Sequence, residues 1–137
     1  MAEKNYYRII VTCIIFNDKN QFLLAKRSIK DDVLPGYWGF PGGRFEMDKT
    51  NALDCLEKEV QREVLEEVGV KIKEMQYVGS HKGALKDKVN IAFRAKIASG
   101  TPRPLEDTDE VKWCNLQDLD KMKTVPYTKE RAEFALK

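Results

Sequence analysis

Residues 6–16, YYRIIVTCIIF, set the strongest limit on the fold. A run this rich in β-branched and aromatic side chains reads as a strand, and one so apolar must be largely buried. NDKN, 17–20, is turn chemistry, and QFLLAKR, 21–27, resumes the strand pattern, so 6–27 reads as a hairpin. SIKDDVLPGYWGFPGG, 28–43, holds two prolines and four glycines and reads as a loop. Helical spacing follows over 50–68, with Gly69 as a C-cap signal. Strands are expected over 70–80 and 88–97, joined by the short loop KGALKD, and a polar loop over 99–109. EVKWCNL reads as a last strand, and QDLDKM and YTKERAEFALK as short helices. Strands, helix, strands, helix is the order of an α+β fold, a mixed β-sheet sandwiched between helices in three layers, α/β/α.

At 137 residues the chain is expected to form one domain with a real core. A 42% hydrophobic share beside 34% charged residues fits a soluble globular protein, and no run approaches a membrane span. The start, MAEKNYYRII, lacks the apolar stretch and cleavage site of a secretion signal. Cys13, Cys55 and Cys114 are odd in number and form no Cys-x-x-Cys pair, so neither a disulfide framework nor a zinc site is expected. A reducing, cytoplasmic setting follows, with the cysteines as small core residues. A net charge of +2, with lysines and arginines dispersed, gives no footprint for nucleic-acid binding.

The charge is nonetheless uneven. Residues 42–70 carry eight acids and four bases, a net −4, so the remainder of the chain is about +6. With about 100° per helical residue, Glu63, Glu66 and Glu67 share an arc of about 100° that borders the apolar stripe of Val60, Val64 and Val68. Leu65 stands roughly opposite and suggests a helix covered on more than one side. Glu63 and Glu67 are a like-charge i,i+4 pair, which a helix accepts at a cost. A hard divalent cation compensates for it, because Mg²⁺ and Mn²⁺ prefer oxygen ligands and Mg²⁺ takes few carboxylates beside substrate phosphates.

Arg62-Glu63-Val64-Leu65-Glu66-Glu67-Val68-Gly69-Val70 resembles the second half of the Nudix box, Arg-Glu-apolar-x-Glu-Glu-x-Gly-apolar, at every specified position. The lead-in Trp38-Gly39-Phe40-Pro41-Gly42-Gly43 is similar too, as is LLAKRS, 23–28. The spacing of the first half departs from that family. Counting back from Arg62 puts Asp48 at the box glycine and Asp54 at its first glutamate, whereas counting forward from Gly43 puts Lys49 at that glutamate. The two counts differ by five residues, the mark of an insertion between the glycine turn and the catalytic half of the helix. Asp54 faces away from the three glutamates, while Glu59 lies on their face and is the better substitute for the missing acid.

The resemblance implies a metal-dependent hydrolase of a nucleoside diphosphate linked to another group. Metal ions would bridge the carboxylates to a pyrophosphate, act as Lewis acids and lower the pKa of bound water. By family analogy Glu63, Glu66, Glu67 and the Gly43 carbonyl would hold Mg²⁺, or Mn²⁺ in its place. Arg62 can reach Glu66 or Glu59 and fix a carboxylate rotamer. Arg27 and Arg44, beside the glycine loop, are the first candidates to meet phosphates, with Lys26 behind them. Phe40, Trp38, Trp113, Tyr6, Tyr7 and Tyr127 are available to a nucleobase, and His81, the only histidine, reads first as a loop residue. The general base is sought in the acidic loop 104–110, in the order Glu106, Glu110, then Asp107 and Asp109, with Glu66 as the fallback. Family sub-patterns point to a MutT-like nucleoside triphosphate pyrophosphohydrolase. The alternatives are a nucleotide-sugar hydrolase and a non-catalytic nucleotide-sensing module on the same fold. The partners expected are small nucleotides, with no membrane and no nucleic acid, and oligomeric state stays open, a homodimer included.

Overall fold

The computed structural model describes residues 6–46, 53–83 and 87–137. Its strands are β1 (Arg8–Phe16), β2 (Phe22–Arg27), β3 (Trp38–Gly39), β4 (Gly42–Arg44), β5 (Lys71–Lys82), β6 (Lys88–Ser99) and β7 (Thr108–Cys114). Helix α1 spans Cys55–Val68 and α2 spans Thr128–Ala135, with a 3-10 helix at Leu116–Lys121. One mixed sheet runs in the order β3-β2-β1-β6-β5, with β4 also on β1 and β7 on β2. Strand β1 is central, parallel to β6 over Arg8–Phe16 and antiparallel to its other neighbours.

The apolar run that demanded burial is buried on both faces, one parity to each. Val11, Cys13 and Ile15 join Leu23, Phe93 and the Val60, Val64, Val68 stripe of α1. Ile14 and Phe16 join Phe22, Leu24, Trp38 and Phe40 on the other face, closed by Leu119 of the 3-10 helix and Ala132 and Ala135 of α2. The α+β mixed sheet between helices is therefore the fold observed. Burial pushes the Cys13 thiol up to about 12 and the Cys114 thiol up to about 11, so both are inert core residues.

Several boundaries differ from the expectation. The hairpin of 6–27 is real but joined only at its turn, where Phe16 faces Phe22. Beyond that point β2 leaves β1 and pairs with β7 and β3, and β4 takes its place beside Ile10–Thr12 of β1. The glycine- and proline-rich loop of 28–43 thus contains two very short strands, held by pairing partners distant in sequence. Helix α1 begins at Cys55, not at 50; Asp54 ahead of it is left-handed at φ 54° and its side chain makes no cap bond. Residues 47–52, where the insertion was expected, lie outside the described residues. So do Ala84, Leu85 and Lys86 of the expected KGALKD loop. Leu65 is 45% exposed, so it does not form the second covered surface that the two-sided reading expected.

Candidate active site

A cleft of about 870 Å³ lies where β2 departs from β1. Thr12 of β1 lines it on one side and Ala25 to Arg27 of β2 on the other, with β4 and the acidic face of α1 at one end. Gly42 allows β4 to lie this close: a Cβ there would meet the Val11 carbonyl oxygen at 2.0 Å and Thr12 Cα at 2.7 Å.

Three glutamates of α1 gather around one guanidinium, with a fourth beside them. Arg62 Nη1 donates to both Glu66 oxygens, at 2.8 and 2.9 Å. Arg62 Nη2 donates to Glu63 Oε1 at 3.0 Å and to Glu59 Oε1. Glu67 turns away to accept from the Gly42 N–H at 2.9 Å. Glu59 is fully buried, and its Oε2 has no hydrogen-bond partner among the described residues. Between the two substitutes considered for the first box glutamate, only Glu59 touches Arg62.

One cation for four carboxylates leaves the cluster short of positive charge. Burial pushes Glu63 up to about 7, helped by Glu59 and Glu66 and opposed by Arg62. Burial pushes Glu67 further, to about 8; the Gly42 N–H and Arg27 pull it down, while Glu63 and Asp107 add to the rise. At neutral pH such groups hold part of their protons, which a further cation would displace, and the donor set is all oxygen, as Mg²⁺ or Mn²⁺ requires. Gly43 leaves the space: a Cβ at that position would stand 2.8–2.9 Å from the Glu63 carboxylate atoms. Among the described residues no three acidic, histidine or cysteine side chains converge into a closed cage. An open set that takes water and substrate phosphates as its remaining ligands is the arrangement Mg²⁺ commonly uses.

The acidic loop is anchored to the end of the same helix. The N–H groups of Arg103, Leu105 and Glu106 donate to the carbonyls of Val68, Glu67 and Glu66, at 3.0, 2.9 and 3.3 Å. Carbonyls that a helix end leaves without partners are thereby satisfied, and Glu106 and Asp107 are brought to the cleft wall. Glu110 is not brought there. It pairs with Lys26 within the β2–β7 ladder and is exposed, outside the cleft lining.

Of the basic candidates, Arg27 lines the cleft but is already engaged, donating to Asp31 Oδ2 at 2.8 Å and to the Val33 carbonyl at 2.9 Å. Arg44 is exposed on the rim. Phe40 is buried in the core and still reaches the cleft. Tyr127 lines it as well; Trp38 and Trp113 belong to the cores, and Tyr6 and Tyr7 are exposed. His81 is not in a loop but in β5, its ring 4.8 Å from that of Tyr127. Among the cleft residues that went unread in the sequence are Thr12, Asn90 and Arg131. A signal existed for two, since Thr12 and Asn90 are polar residues set within apolar strands, IIVTCIIF and VNIAF.

A family model described as the NUDIX domain matches residues 6–135. A MutT-like protein of Streptomyces ambofaciens is 26% identical over 113 residues, 82% of this chain and 67% of that protein. The NAD-capped RNA hydrolase NudC of Pseudomonas aeruginosa is 30% identical over 115 residues, and the chain spans only 39% of its length. Among solved structures, the MutT protein of Methanosarcina mazei superposes with a TM-score of 0.72 at 27% identity, covering 98% of this chain and 97% of that one.

Proposed function

The chain belongs to the NUDIX family of hydrolases, and from that premise we propose that it cleaves a pyrophosphate bond in a nucleoside diphosphate linked to another group. A nucleoside triphosphate is the leading substrate. The observation that carries this reading is the crowding of Glu59, Glu63, Glu66 and Glu67 on one helix face beside the Gly42-Gly43 turn, with Arg62 the one cation among them.

Glu63, Glu66, Glu67 and the Gly43 carbonyl would hold Mg²⁺ or Mn²⁺, which when bound supplies charge neutralisation for the phosphates and a more acidic water. The chain's own residues do the rest. Arg62 fixes the rotamers of Glu63 and Glu66, and Glu59, buried beneath it, holds Arg62 in place. Gly43 sets no side chain of its own against Glu63 Oε1 and Oε2. Arg44, on the rim, meets the phosphates, and Arg27 joins it. Glu106, held at the cleft wall by its own backbone bond to Glu66, is the proton acceptor for the attacking water. Glu110 stands second, because its ladder position keeps it off the cleft.

The test is phosphate and pyrophosphate release with millimolar Mg²⁺ across a panel: nucleoside triphosphates, nucleotide sugars, and NAD-capped RNA, the substrate named for the Pseudomonas relative. Turnover that disappears with chelator is the result expected. Binding without turnover across the whole panel would instead favour a nucleotide-sensing module.

A further inference from the structure

The loop between β2 and β3 is folded around one side chain, that of Arg27 at the end of β2. The Arg27 N–H donates to the Tyr37 carbonyl at 2.8 Å, and the Arg27 carbonyl accepts from the Gly36 N–H at 3.1 Å, so the loop hangs from a closed neck. Inside it, Arg27 Nε donates to the Val33 carbonyl at 2.9 Å and Nη2 to Asp31 Oδ2 at 2.8 Å. Asp31 is fixed in turn. Its N–H donates to the Ser28 carbonyl at 3.0 Å, and its Oδ1 accepts from the Val33 N–H at 3.1 Å. Arg27, Asp31 and Val33 thus close a ring of hydrogen bonds. The turn beside it holds Leu34 left-handed at φ 47°, a conformation that a residue other than glycine keeps only where its surroundings over-determine it.

The ring stands at the site. Arg27 and Asp31 line the same cleft as Glu63, Glu66 and Glu67. The start of the loop is tied to the acidic loop that carries Glu106: the Ser28 N–H donates to the Asp107 carbonyl and the Ile29 N–H to Asp109 Oδ2, both at 3.1 Å. Nε and Nη2 lie on one edge of the planar guanidinium, and both of its bonds to the loop use that edge. Its other edge, an N–H each of Nη1 and Nη2, has no partner among the described residues. A free edge of this kind matches two oxygens of a phosphate. The Arg27–Asp31 ion pair is partly exposed on both sides, so it contributes little stability of its own.

We infer that Asp31 is a positioning residue for the substrate: together with the Val33 carbonyl it holds Arg27 in one rotamer, with the free edge of the guanidinium ready for two oxygens of a substrate phosphate. A long side chain that must be ordered at the moment of binding costs affinity, and one ordered beforehand does not. Asp31 is no rival to that phosphate, because it occupies the opposite edge. This inference rests on the nucleotide-hydrolase reading for the phosphate ligand, but neither on turnover nor on the identity of the base.

Calorimetric binding of inorganic tripolyphosphate by the full chain, at fixed millimolar Mg²⁺, reads the phosphate contact without base or turnover. Asp31→Asn keeps the size and the carbonyl that the Val33 N–H needs, but loses the charge that holds Arg27. It should raise Kd about tenfold with Tm within about 2 °C of wild type. KM for the best nucleotide of the panel should rise by a similar factor, with much the smaller effect on kcat. Arg27→Gln should raise Kd at least as far, and adding Asp31→Asn to it should raise Kd no further, since Asp31 acts only through Arg27. Arg27→Lys keeps the charge but offers a point in place of an edge, and should also bind about tenfold more weakly. It carries the comparison if Asp31→Asn does not fold. An unmoved Kd in Asp31→Asn, or a lowered one, as removal of a competitor would give, would overturn the inference. So would an equal further loss in the Arg27→Gln background, wild-type affinity in Arg27→Lys, or a wild-type chain that binds no tripolyphosphate. Nucleotide hydrolysis with a KM indifferent to Asp31→Asn would sink this inference alone. Tripolyphosphate binding that depends on Asp31, in a chain that hydrolyses nothing, would sink the hydrolase reading and leave this one standing.

Discussion

A methyl group at position 43 would first meet the carboxylate end of Glu63, whereas one at position 42 would meet the backbone of Val11 and Thr12. Neighbouring glycines therefore serve different purposes. Gly43→Ala should leave Tm within about 2 °C, since the end of a glutamate can swing aside, yet lower kcat at least about tenfold through misplacement of Glu63. Gly42→Ala should instead fail to fold or lose well over about 10 °C, because backbone 2.0 Å away cannot give. Thermal melts of both, with kcat for the first, check this contrast. Glu59 and Asp54 make a second pair. Glu59→Gln replaces a buried charge-assisted bond to Arg62 by a weaker one, and kcat should fall about tenfold with KM little changed. Asp54→Asn keeps a residue that tolerates the left-handed conformation and should leave kcat within about twofold. If Asp54→Asn is the damaging change and Glu59→Gln the harmless one, the first box acid is Asp54 after all.

Helix α1 and the loop 103–106 act as one element, because the amides of Arg103, Leu105 and Glu106 cap the helix's last carbonyls. Glu106→Gln should lower kcat by about a hundredfold at saturating Mg²⁺, with metal affinity and Tm unchanged, while Glu110→Gln should behave as wild type. Full activity in Glu106→Gln, Glu110→Gln, Asp107→Asn and Asp109→Asn alike would move the proton acceptor to Glu66. What could be read from the sequence at this scale follows from what is local. The parity of YYRIIVTCIIF and the valine stripe of α1 are periodic patterns within one segment, and the structure honours both. Strands β3 and β4 carry no such pattern: two and three residues long, they exist because Ala25, Lys26 and Ile10 to Thr12 pair with them. The same limit explains Glu110. Its place in a strand was legible, although the strand starts earlier, at Thr108, but the ladder with Lys26 that turns it from the cleft was not. Arg131, Thr12 and Asn90 come together across separations of 119 and 78 residues, and no spacing rule reaches that far.

For the molecule as a whole, the glutamate cluster couples folding to pH and to metal. In the unfolded chain Glu63 and Glu67 titrate near 4.3, the ordinary value. In the folded chain, without metal, they are raised to about 7 and about 8, burial being the main cause. Between these limits the folded state binds more protons than the unfolded state, so stability falls as pH rises. The contribution is whole below about pH 4.5, is lost progressively up to about pH 8, and changes no further above it. Metal-free protein should therefore melt at least about 3 °C lower at pH 8 than at pH 5.5. Divalent cation reverses the trend, because it must displace those protons to bind and competes better as they leave. The Tm gain from millimolar Mg²⁺ should accordingly be larger at pH 8 than at pH 5.5. Glu67→Gln, which removes the higher of the two raised groups, should flatten the metal-free slope and shrink the Mg²⁺ gain together. Melting curves at the two pH values, with chelator and with Mg²⁺, for wild type and variant, decide the matter. A metal-free Tm that stays level or climbs from pH 5.5 to pH 8 would mean that Glu63 and Glu67 are solvated in the folded chain, and that this helix face carries no stored demand for a cation.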